Sequence, residues 1–267
     1  MPTTAAPTAR LDFDVDDAGI ATITIDNAAR MNAMSAAMWE ALPGLVARAE
    51  ADPEVRVVML RGAGTRAFSA GADISEFDTQ RSGDAVHTYD RLNHNAFDAL
   101  TNCRKPTVAM IHGFCLGGGL GLALACDLRM ADEAATFAIP AAKLGIGYNP
   151  RWIGPILRAV SPATAKLILF TGRRFNSAEA LAMGLVTSLS RTDDLFVATR
   201  ALASEIAGNA PLSVAAAKAM IDELAQRPGT ADLAKLDHFI AACFDSQDYA
   251  EGRRAFLEKR KPVFKGE

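Results

Sequence analysis

Apolar and acidic residues alternate from Leu11 to Val15 (LDFDV), and alternation returns in IATITI from Ile20. A period of two marks half-buried strands. Asp16-Asp17-Ala18-Gly19 between them has turn chemistry, so the pair reads as a β-hairpin. The period then lengthens. Ser35 is a good N-cap, and Met38, Leu42, Leu45 and Val46 after it share one helical face, with Pro43-Gly44 expected to kink or interrupt the helix. Val55 to Leu60 is an apolar strand, followed by the small-residue loop GAGTRAFSAGAD. Asp84 to Cys103 places Val86, Tyr89, Leu92, Phe97 and Leu100 at roughly helical spacing, and Lys105-Pro106 ends that helix. Strand TVAMI, a glycine-rich turn, a helix, strand DLRMA and a short strand near TFAIP complete the first half.

Strand and helix thus alternate over the first half, which predicts an α/β layered core. After Trp152 the pattern changes. SPATAKLILF, NSAEALAMG, DLFVATRALASEIAGN, PLSVAAAKAMIDELAQ and ADLAKLDHFIAACF read as amphipathic helices, and only LVTSLS suggests a strand. The expected organisation is a disordered tail over 1–10, an α/β core over 11–200 and a helical region over 201–267. No internal repeat is visible in the sequence.

Composition narrows the function classes. Half of the 267 residues are apolar and the net charge is −3, so a sizeable core is expected and no broad basic surface for nucleic acid. Cys103, Cys115, Cys126 and Cys243 form no CxxC pair and read as reduced thiols, which with the absence of an apolar signal core in MPTTAAPTAR suits a cytoplasmic protein. His87 and His94 share a helix face, but no acidic pattern beside them suggests a metal site.

The most informative stretch is PTVAMIHGFCLGGGLGLALAC, Pro106 to Cys126, which carries no charge and five glycines. Its length would span a membrane, but the glycines cluster mid-run, between a strand-like and a helix-like half, so no membrane association is expected. A dinucleotide GxGxxG would need glycine at Leu122 or Leu124, and a phosphate-binding P-loop would need lysine at Gly119. Three readings remain open. Gly113-Phe114-Cys115-Leu116-Gly117 matches a nucleophile elbow, with Cys115 as nucleophile, His238 as base and Asp193 as its orienter. Alternatively, Gly117-Gly118-Gly119 exposes backbone N–H groups at a helix start, where they can stabilise a developing oxyanion. The glycines can also serve helix packing alone.

The chain resembles the crotonase superfamily, the enoyl-CoA hydratase/isomerase family. The resemblance rests on AARMNAMS (Ala28–Ser35), AFSAGADI with Glu76, IHGFCLGGGLGLALACDLRMA, TFAIPAAKLGIG, FTGRRFNSAEALAMGLV and the ending GRRAFLEKRKPVF. It implies a crotonase-like spiral of β-β-α units with a C-terminal helical region, assembled as homotrimers or hexamers. It also implies an acyl-CoA thioester as ligand, with coenzyme A part of the substrate and no separate cofactor. By position, the amides of Ala72 and Gly118 would be the oxyanion donors. Ala70, Gly71, Asp73 and Ile74 would follow the pantetheine and adenine, with Gly117 beside them. Ala29, Arg30 and Lys261, the last within Lys259-Arg260-Lys261, would approach the phosphates.

The sequence also departs from the family pattern. Hydratases of the family carry two glutamates, and Gly121 and Ala141 stand in those places. Hydration by the usual pair is therefore not expected, and two further readings stay open: unassigned hydratase/isomerase-like chemistry and acyl-CoA binding without catalysis. Tyr148, beyond KLGIG, is the candidate polar group at the acyl end, as hydrogen-bond donor or acid. Arg151 is a candidate for an acyl carboxylate. Asp73 is expected to bond turn amides, and His112 to be a satisfied buried histidine.

Overall fold

The computed structural model describes residues 9–73, 85–227 and 229–267. The hairpin is present: β1 (Arg10–Val15) and β2 (Ile20–Asp26) pair antiparallel, and Asp16 Oδ1 accepts from the amides of Ala18 and Ile20. Arg10 already lies in β1, inside the expected tail.

From β3 (Val57–Gly62) onward the chain advances in repeated steps. β3 is followed by β4 (Ala67–Ser69), with α2 (Ala85–Thr101) further along. Then come β5 (Thr107–Ile111), β6 (Phe114–Leu116) and α3 (Gly118–Ala125), and then β7 (Leu128–Asp132), β8 (Thr136–Ala138) and a 3-10 turn (Pro140–Leu144). The first strand of each step joins a six-stranded sheet, ordered β1-β2-β3-β5-β7-β10 with β10 at Ser188–Ser190, which is parallel after the hairpin. The second strand joins another sheet, β4-β6-β8-β9 with β9 at Phe175–Asn176. This is the β-β-α spiral, repeated in space with no repeat in the sequence.

Continuous apolar runs such as VVML and TVAMI arise because the large sheet is covered on both faces. Val58, Leu60, Ala109, Ile111 and Ala131 face the main core with α1 (Ala36–Ala51). Val57, Met59, Val108, Met110 and Met130 alternate with them and pack on Leu195 and Ala203. Those two belong to α7 (Leu195–Ala207), which follows α4 (Pro150–Ala159), α5 (Pro162–Thr171), β9 (Phe175–Asn176), α6 (Ser177–Met183) and β10 (Ser188–Ser190). The expected division at residue 200 falls inside α7. The chain ends in α8 (Pro211–Gln226), α9 (Leu233–Phe244) and α10 (Gln247–Glu258).

Three local expectations are corrected. Pro43 does not interrupt α1, which runs unbroken from its Ser35 cap. Met38, Trp39 and Leu42 before it and Val46 and Ala49 after it bury in one core, and this packing outweighs the lost hydrogen bond. Phe114-Cys115-Leu116 is a strand rather than part of the turn, and Ala67-Phe68-Ser69 is a strand rather than loop. The uncharged run after Gly117 becomes α3, seven of whose eight residues are buried. Among the described residues no helix is long and apolar enough to cross a membrane.

Candidate active site

Two turns meet at the N-terminal end of α3. The first follows β4. Gly71 adopts φ +90°, a conformation that side chains rarely take, with its amide on Ser69 Oγ at 3.1 Å. A Cβ at Gly71 would lie 2.8 Å from the Leu116 carbonyl and 2.9 Å from the Gly118 amide nitrogen. Only a bare backbone permits that approach. Gly71→Ala is accordingly expected to cost about 2–4 kcal/mol, from backbone strain and overpacking together, read in urea unfolding. A stability within 0.5 kcal/mol of wild type, on the order of a neutral surface change, would contradict the approach.

The block Ala28–Ser35 holds this turn in place. Ala70 N donates to Met31 O (2.9 Å), Met34 N to Gly71 O (2.7 Å) and Asp73 N to Met34 O (2.9 Å). Met34 thus uses the groups on either side of Ala72 and leaves the Ala72 amide on the opposite edge. Two buried asparagines, unremarked in the sequence, brace the block. Asn32 Nδ2 donates to the carbonyls of Ala63 and Ala67, and Asn27 Nδ2 to that of Ala33. Asn32 sits at φ 55°, the left-handed conformation that asparagine tolerates. Their only signal was asparagine in a turn.

The second turn is Gly117, at φ 52°, followed by Gly118 as the first residue of α3. A helix-start amide has no acceptor in its own helix. A Cβ on Gly118 would stand 3.7 Å from Ala72 N and 3.2 Å from the Trp39 ring. The amides of Ala72 and Gly118 therefore lie side by side, and both residues line a cavity of about 110 Å³ with Ala70 and Gly117. Two adjacent N–H donors at one end of an apolar cavity suit a single oxygen that gains negative charge.

The cavity wall is completed by Phe97, Ile139, Ala141, Ile146, Tyr148 and Trp152, with Asn93 beside Phe97 on α2. Tyr148 packs edge-on to Trp152 (5.5 Å), and burial holds its hydroxyl well above the usual tyrosine range, so it stays protonated at any physiological pH. Trp152 Nε1 is enclosed and finds no acceptor among the described residues.

Phe97 explains the glycine at 121. A Cβ there would come within 2.8 Å of the Phe97 ring, which stands edge-on to Trp39 at 5.6 Å and to Trp152 at 6.2 Å. The space of a side chain at 121 is filled from α2. Ala141 presents only a methyl group to the cavity.

Of the other candidates, Arg30 pairs with the Asp73 carboxylate (2.6 Å), while the Asp73 backbone amide donates to Met34. Arg30 follows Ala29 in a 3-10 turn, Ala28–Arg30. Ile74, Glu76 and Asp78 lie outside the described residues. Lys261 is exposed beyond α10 and is not part of the cavity wall, while Arg260 is bound by Glu251 and Glu258. Arg151 is exposed at the start of α4, where Asn149 caps it. His112 is buried on Asp132 at 2.9 Å. The nucleophile-elbow reading is overturned. Cys115 is sealed within β6, burial drives its thiol far above the ordinary cysteine value, and a thiol held protonated is no nucleophile.

A sequence model of enoyl-CoA hydratases/isomerases matches residues 16–267. The chain belongs to the enoyl-CoA hydratase/isomerase family. This crotonase membership makes it one of a family of enzymes, and its relatives span nearly its whole length. The short-chain-enoyl-CoA hydratase of Clostridium acetobutylicum is 32% identical over 244 residues, covering 91% of this chain and 92% of that protein. The carnitinyl-CoA dehydratase of Salmonella typhi is 34% identical over 80% of this chain and 83% of its own. Among solved structures, an enoyl-CoA hydratase/carnithine racemase from Magnetospirillum magneticum superposes with a TM-score of 0.91 at 38% identity, covering 96% of this chain and 97% of the other. An enoyl-CoA hydratase/isomerase family protein from Hyphomonas neptunium gives 0.90 at 41% identity, covering 95% and 97%.

Proposed function

We propose that this crotonase-family chain binds an acyl-CoA thioester and stabilises its enolate in an oxyanion hole made by the amides of Ala72 and Gly118. The observation that supports the reading is the closeness of Ala72 and Gly118, from separate turns, at one apolar cavity. A thioester oxygen seated between them gains stabilisation as the α-carbon loses a proton or the β-carbon a substituent. Hydration by a glutamate pair is not the reaction proposed, since Gly121 and Ala141 bring no carboxylate. Tyr148 is the acid or hydrogen-bond donor at the acyl end, and a hydroxyl that stays neutral suits donation rather than base work. Arg30, tied to the turn through Asp73, is the cation that serves the coenzyme A phosphates in this reading.

Crotonyl-CoA tests the reading directly. Polarisation of its carbonyl is expected to shift the conjugated-thioester absorbance to longer wavelength on binding, with or without turnover. Binding with an unshifted spectrum would refute the oxyanion hole. Tyr148→Phe is expected to keep the shift and to lower any turnover about 10²-fold, the scale of one acid–base contribution. Unchanged turnover would remove Tyr148 from the chemistry. Phe97 filling the position beside Gly121 favours a second reading, binding without catalysis. A shifted spectrum with no product from any acyl-CoA would support it.

Self-association as trimers or hexamers belongs to the same proposal. Phe170, Phe256, Leu257 and Val263 are 70–83% exposed, apolar side chains that contact between copies would cover. Light scattering is expected to give a mass of three or six chains, and a monomer at micromolar concentration would refute it.

A further inference from the structure

The family's carboxylates are missing from the cavity, yet its wall includes a buried amide side chain. Asn93 is 3% exposed and lines the cavity one helical turn before Phe97. Its Nδ2 donates to the Tyr89 carbonyl at 2.7 Å, which fixes the amide's orientation, because an oxygen turned towards that carbonyl would be repelled. Oδ1 is thereby the free end. Among the described residues no donor reaches it, and it is not sealed off as Trp152 Nε1 is, so it opens on the cavity that Asn93 lines. The site as described presents a bare carbonyl-type acceptor against an aromatic wall.

Resting on the acyl-CoA reading above, we propose that Asn93 determines specificity by accepting a hydrogen bond from an uncharged donor on the acyl group, so that the cavity takes a short acyl chain bearing a hydroxyl. Two observations select that chemistry. An unmet acceptor in a mostly apolar cavity favours a ligand that brings a donor and disfavours plain hydrocarbon. No charged side chain lines the cavity among the described residues, so an acyl carboxylate would meet the Asn93 oxygen with no cation to offset it. The small volume, about 110 Å³, limits the chain to a few carbons. Asn93 takes no proton in this role. It orients the acyl group beneath the two amides.

The test is a pair of thioesters of matched shape, 3-hydroxybutyryl-CoA and 3-methylbutyryl-CoA, bound to wild type and to Asn93→Leu by titration calorimetry. Wild type is expected to bind the hydroxyl form about 5- to 10-fold more tightly, the scale of one net hydrogen bond. N93L is expected to bring the two within about twofold of each other by weakening only the hydroxyl form. Equal affinities in wild type, or a preference that survives N93L, would overturn the assignment. The wild-type comparison decides even if N93L fails to fold. Failure of both thioesters to bind wild type would instead refute the acyl-CoA reading, and this inference with it.

Discussion

Gly118→Pro is expected to lower the rate of thioester enolisation about 10²–10³-fold while the protein stays folded. The rate can be followed as exchange of the butyryl-CoA α-protons into D₂O. Gly118 is the first residue of α3, the one helical position where proline is well accommodated, since its amide has no intrahelical role. The substitution therefore removes one donor and puts the ring's Cδ in the place of its hydrogen without breaking the helix. Such a donor contributes about 3–4 kcal/mol to an oxyanion transition state. Gly118→Ala is the control. It adds the same Cβ, 3.2 Å from the Trp39 ring, which must give by a few tenths of an ångström, but it keeps the N–H. Alanine is expected to retain most of the rate and of the crotonyl-CoA absorbance shift, whereas proline loses both. Equal losses in the two variants would mean that Trp39 packing, not the amide, governs the site.

The two turns were legible in the sequence because glycines and small residues cluster where two backbones approach closely. The turn at Gly71 and the start of α3 lie where SAGAD and LGGG indicated. The alternation of strand and helix likewise predicted the layered core. The spiral repeat was not legible, because each step buries its strands in a different environment, so VVML, TVAMI and LRMAD share a role without sharing residues. The acyl wall was also hidden. Phe97 fits the apolar stripe of an amphipathic helix, and nothing in that stripe says that its ring reaches Gly121. Asn93 was hidden too, because an asparagine on a helix reads the same in sequence whether its amide is solvated or buried. Cys115 misled in the opposite sense. A five-residue match to the elbow pattern was satisfied by a strand whose cysteine is sealed off.

Restoring the family's carboxylate at position 121 separates a lost residue from a rebuilt site. If glycine here were simple decay, Gly121→Glu would be tolerated and would move the protein towards hydration. The structure predicts the reverse. The new Cβ would stand 2.8 Å from the Phe97 ring tip and 3.0 Å from a neighbouring ring carbon, and the ring's edge-on contacts with Trp39 and Trp152 restrict its retreat. Overpacking of this kind costs about 1–3 kcal/mol, and a carboxyl group in an apolar wall adds to it by staying unpaired. Gly121→Glu is expected to lower Tm by about 5–10 °C and to give no hydration of crotonyl-CoA. The cause is identified by a double-mutant cycle in urea. Because the clash is with one ring, Gly121→Glu should cost about 1–2 kcal/mol less in a Phe97→Leu background than in wild type. Strict additivity of the two substitutions would show that Phe97 is not what excludes the side chain. The predicted coupling would show that α2 and α3 have closed the carboxylate's place together.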